Sequence, residues 1–70
     1  MLRNLLAEIG RNKIIQKEIA GFIGVNERTL WNKLNQVTAF SFAETVAIRD
    51  KFFPDLELEY LFKDSDEPHQ

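Results

Sequence analysis

Seventy residues with 9 Lys or Arg, 11 Asp or Glu, one His and no Cys make one small domain, without disulfides or thiolate metal sites. A chain this short buries only about 60% of its unfolded surface, which points to a core shared with a second copy, and the lack of cysteine suits a reducing cytoplasm. The longest apolar run, Ala20 to Val25, is far too short to span a bilayer, and the N-terminus shows no signal peptide.

The net charge of −2 is unevenly placed. Residues 1–37 hold six basic groups against three acidic ones, whereas residues 38–70 hold three basic against eight acidic. Such asymmetry orients a small protein on a polyanion with its first half inward.

Leu2, Leu5, Leu6 and Ile9 recur at i, i+3, i+4 and i+7, which predicts an amphipathic first helix over 2–9, ended by Gly10. Arg11, Asn12 and Lys13 form a basic connector, and Ile14 turns into the core. In the second helix Ile19, Ala20 and Ile23 share a face, and Gly24 supplies the left-handed residue that ends it. Val25 plugs the turn, and Asn26 is a good N-cap for a third helix starting at about Glu27. Leu30 and Leu34, four apart, pack back onto Ile19, Ile23 and Val25. Arg28, Asn32 and Asn35 then lie opposite, with Trp31 on one flank, and Thr29 and Lys33 on the other. Such a face suits the major groove, where Arg bonds bidentately to guanine and Asn to adenine.

Phe40 reads as a core anchor, and Ser41-Phe42-Ala43-Glu44 is a capping box that opens a fourth helix at about Phe42. Phe42, Ile48 and Phe52 predict one apolar face of that helix, and Val46 and Phe53 a second, adjacent one. Pro54 stops it. Leu58, Leu61 and Phe62 predict a short fifth helix over 57–62, although alternation of Leu56, Leu58 and Tyr60 with acids also permits a strand. Residues 63–70 read as a disordered acidic tail, in which His69 is simply solvated.

Gln16-Lys17-Glu18-Ile19-Ala20, Ile23-Gly24-Val25 and Arg28-Thr29-Leu30 together resemble the helix-turn-helix of the Cro and repressor family of phage and bacterial regulators. The resemblance extends more loosely over residues 2–62 and implies an all-α, five-helix, lambda-repressor-like domain with its helix-turn-helix at about 16–35. Two positions depart from the family pattern. Ile15 stands where Thr, Ser or Asn commonly caps the second helix, and Gln36-Val37 replaces a Gly and a Lys. The resemblance implies a double-stranded DNA operator bound by a homodimer in the cytoplasm of a bacterial host. Glu27, Arg28 and Asn32 then face base edges, and Gln16, Lys17 and Lys33 face the backbone. Val46, Phe53, Leu56, Tyr60 and Phe62 read equally well as core or as a dimer interface. Trp31 reads first as a packing residue.

No nucleophile and base can be paired in this sequence, and no Gly-rich phosphate loop or metal-ligand spacing is present. An enzyme, a cofactor, a small-molecule ligand and a membrane are therefore not expected. The rival reading is a protein-interaction module, in which the acidic second half and the pair Val46 and Phe53 engage another regulator or a polymerase subunit.

Overall fold

The computed structural model describes residues 1–63, so the predicted tail lies outside the described residues apart from the exposed Lys63. Five helices follow in order: α1 Arg3–Arg11, α2 Gln16–Ile23, α3 Glu27–Leu34, α4 Phe42–Phe52 and α5 Leu58–Leu61. Among the described residues there is no strand, so the alternation around Leu58 resolves as a helical turn. Among the described residues no helix is long and apolar enough to cross a membrane.

One core joins all five helices. Leu2 and Leu5 and Ile9 of α1 meet Ile19 and Ala20 of α2, Leu30 and Leu34 of α3, Ile48 of α4, Phe53, and Leu61 of α5. Each fully buried side chain of this size contributes roughly 1.5–3 kcal/mol. Around this core α2 packs on α3 and α4, and α5 on α1 and α4.

Gly10 does not end α1, which continues to Arg11. The stop comes at Lys13, which takes the left-handed conformation (φ 56°). Its N–H donates to Gly10 O at 3.1 Å, and the N–H of Ile14 donates to Ile9 O at 2.9 Å. These are the two bonds of a Schellman turn, with Ile14 and Ile9 at the positions that commonly make its apolar contact.

Helix α4 opens on the predicted capping box, in which Ser41 Oγ accepts from the Glu44 N–H and the Glu44 carboxylate accepts from the Ser41 N–H. Its apolar faces are not those read from the sequence. Phe42 is 77% exposed, while Phe53, the expected second face, is 3% exposed and part of the core. Phe53 precedes Pro54, whose ring disfavours helical backbone at the preceding residue. At φ −138° and ψ 57° it has left the helix, so helical spacing no longer sets its direction, and the ring joins the core.

Glu8 ties the first helix to the last. It is buried, and its carboxylate accepts from the Tyr60 hydroxyl at 2.8 Å and from the Arg11 guanidinium. Asn4 Nδ2 donates to the Tyr60 carbonyl at 2.8 Å. Among the described residues no buried side-chain nitrogen or oxygen lacks a partner.

Candidate nucleic-acid interface

The site is built on the turn between α2 and α3. Gly24 is left-handed (φ 78°, ψ 30°), a region where a Cβ is disfavoured. Its N–H donates to Gly21 O at 3.3 Å, and that of Val25 to Ala20 O at 2.9 Å. Asn26 Oδ1 then accepts from the Thr29 N–H at 2.7 Å and caps α3. Leu30 and Leu34 are fully buried, which fixes α3 in rotation about its axis. The polar side of α3 is turned out by that anchoring.

On this outer side Glu27 and Arg28 are exposed, and Asn32 and Asn35 are half-buried. Asn35 Nδ2 donates back to the Trp31 carbonyl at 3.0 Å, so its amide is partly engaged by the helix itself. Trp31 is not packed away as expected but 48% exposed, with the Arg28 guanidinium carbon 5.2 Å from its ring centroid. The inner surface is already filled by the two leucines, which leaves no room in the core for an indole.

Lys33, expected on the phosphate side, is turned to other work. Its ammonium donates to Ala39 O and to Glu44 Oε1, both at 3.1 Å, and lies over the Phe40 ring. It ties α3 to the loop before α4. The Ser41 N–H, and after it Lys33, holds the Glu44 carboxyl below the ordinary carboxylate range, against an opposing effect of burial.

The start of α2 is different. Gln16 and Lys17 are exposed there, and the N-cap Ile15 provides no side-chain acceptor. Beyond α3 the chain makes another Schellman turn, with Gln36 at φ 62° in the position where glycine is usual. The Gln36 N–H donates to Lys33 O at 3.2 Å and the Val37 N–H to Asn32 O at 2.8 Å. The Gln36 side chain accepts from the Met1 amine, and the Leu2 N–H donates to Leu34 O at 3.1 Å, so the first residues brace the end of α3.

Of the five residues read as core or dimer interface, Phe53 is core. Leu56 and Phe62 are half-buried against it, with Phe62 edge-on to Phe40 at 5.3 Å. Val46 is half-buried, and Tyr60 is bonded to Glu8. Other apolar residues are more exposed, Phe42 (77%), Val37 (65%) and Ile15 (61%) foremost. A groove of about 460 Å³ is lined by Leu2, Val37, Phe40, Thr45 and Phe62 among others. Phe42, read with Ile48 and Phe52 as one apolar face, is the first helical residue after the capping box and lies six residues before the buried Ile48.

Among the described residues no group of three or more His, Asp or Glu is placed to hold a metal. No family model, curated protein or solved structure matches the chain.

Proposed function

We propose that this protein is a sequence-specific, Cro-like transcriptional regulator with a lambda-repressor-like fold, in which α2 and α3 form the helix-turn-helix. The observation that carries this reading is the outer side of α3. The side chains of Arg28 and Asn32 make no hydrogen bond or ion pair within the described residues, on a helix whose rotation is set by Leu30 and Leu34. They read base edges, each contributing about 1–3 kcal/mol of discrimination, with Glu27 beside them to accept from cytosine or to disfavour other sites. Gln16 and Lys17, at the uncapped start of α2, meet phosphate through side chains and backbone N–H groups. The charge surplus of residues 1–37 favours that face.

The protein binds as a homodimer, with two copies of α3 about 34 Å apart in successive major grooves of a pseudo-palindromic operator, and represses by excluding polymerase. Phe42 and Val37 are the most exposed large apolar residues and so the first available to such a dimer, whereas Phe53 is enclosed in the core. It works in the cytoplasm of a bacterial host, and its regulation follows from its concentration.

Selection of bound sites from random duplexes at two salt concentrations, with Arg28→Ala beside the parent, tests the reading. A two-fold symmetric site retained by the parent and lost by Arg28→Ala is the expected result. Weak, sequence-blind binding equal in both proteins overturns it. The exposed Phe42, and the groove lined by Val37 and Phe40, favour a second reading, in which the protein docks on another regulator or a polymerase subunit. Steep weakening with salt marks DNA, whereas an apolar contact changes little.

A further inference from the structure

We propose that Trp31 is a positioning residue that holds Arg28 ready for the major groove, an inference that rests on the DNA-binding reading above. Arg28 and Trp31 are three apart on α3 and so are neighbours on its surface. The guanidinium carbon lies 5.2 Å from the indole centroid, within the range of cation–π attraction, for which tryptophan is the best of the aromatic partners. The ring attracts the guanidinium charge without offering it an oxygen or nitrogen acceptor. The donors of Arg28 point in the plane of the group, and none of them makes a hydrogen bond within the described chain. The N–H fork that recognises guanine is therefore left open by the contact that restrains the side chain.

Contrast within the same helix sharpens the point. Lys33 also lies over an aromatic ring, that of Phe40 at 5.7 Å, but its ammonium donates to Ala39 O and Glu44. That cation serves the fold, whereas Arg28 has no such bonds. At about 100° per residue Trp31 stands between Glu27 and Arg28 around the helix, and no ion pair joins Arg28 to the adjacent glutamate. The indole thus offers the guanidinium a resting place that leaves its hydrogen bonds free. A long, rotamer-rich side chain restrained before binding loses less freedom when it binds. Packing of α3 does not need the indole, because Leu30 and Leu34 already anchor the helix and Trp31 is 48% exposed.

The test is a double-mutant cycle on the selected duplex site, comparing the parent, Trp31→Leu, Arg28→Ala and the double variant, with thermal melting of each. Trp31→Leu is expected to melt near the parent and to weaken binding roughly three- to thirty-fold. It should flatten preference at the same base position that Arg28→Ala flattens, and have less than about twofold effect in the Arg28→Ala background. Trp31→Phe should fall between parent and Trp31→Leu. In the free protein the Arg28 δ-protons should show an upfield ring-current shift that Trp31→Leu removes. An equal loss from Trp31→Leu with and without Arg28, or an absent ring-current shift, overturns the proposal while leaving DNA reading intact. If the parent selects no duplex at all, the reading of α3 falls and the proposal falls with it.

Discussion

The outer side of α3 and the start of α4 treat their polar side chains differently. On α4, Glu44 closes the N-terminus and meets Lys33, and Arg49 pairs with Asp50 at 2.7 Å. These charges find partners within the chain, while Lys51 lies over the Phe22 ring and Phe42 is left exposed. On α3, the side chains of Arg28 and Asn32 have no hydrogen-bonding partner within the described residues, although buried Leu30 and Leu34 anchor the helix as buried Ile48 anchors α4. Polar groups satisfied internally serve the fold, and those held in place yet unsatisfied mark where an outside partner belongs.

That contrast can be broken most forcefully from the inside. Leu30→Ala should lower stability by about 2–5 kcal/mol, because it empties a fully enclosed site shared by the core, and chemical denaturation measures it. Arg28→Ala should leave stability within about 0.5 kcal/mol while removing about 1–3 kcal/mol of base discrimination. A large stability loss from Arg28→Ala would erase the distinction between the two helices.

Ser41→Ala on α4 should do the reverse, costing about 1 kcal/mol of stability with DNA affinity at low temperature unchanged. The same cap predicts a pH dependence. The Glu44 carboxyl titrates below its ordinary range in the folded chain, so its contribution is fully present above the unfolded value and is lost as pH falls through the lowered one. Melting temperature should drop across that acidic window in the parent and less steeply in Glu44→Gln. The smallest effect is expected at Lys13, whose left-handed backbone is strained for any residue with a Cβ. Lys13→Gly relieves that strain against the added freedom of the unfolded chain, for a net gain of about 1 kcal/mol or less.

How well the chain is read from its letters follows the same division. The turn at Gly24, the Asn26 cap, the Leu30–Leu34 seam and the Ser41–Glu44 box are local devices, each set by residues within four positions, and each stands where its spacing predicts. Gly10 was misleading because a glycine permits a left-handed turn without requiring one, and Lys13 accepts it instead. Phe42 and Phe53 exchanged roles because their directions depend on the path imposed by Pro54 and on which neighbour fills the core. Trp31 shows the limit of an average. Tryptophans are mostly buried, but this one stands between Leu30 and Leu34, which already occupy the inner face. The engagement of Lys33 by Glu44 joins residues eleven apart, a pairing no helical period announces.

The bond between Tyr60 and Glu8 spans 52 residues, whereas α2 and α3 meet across a connection of only three. Closing a long loop costs more entropy than closing a short one, so the two halves of this core form on different clocks. The α2–α3 pair is the natural nucleus, and the docking of α5 on α1 comes late. Tyr60→Phe should therefore accelerate unfolding and leave the refolding rate nearly unchanged, while truncation of Leu30 slows refolding. The surface proposed to meet DNA would then be the first part of the chain to take its native shape and the last to lose it.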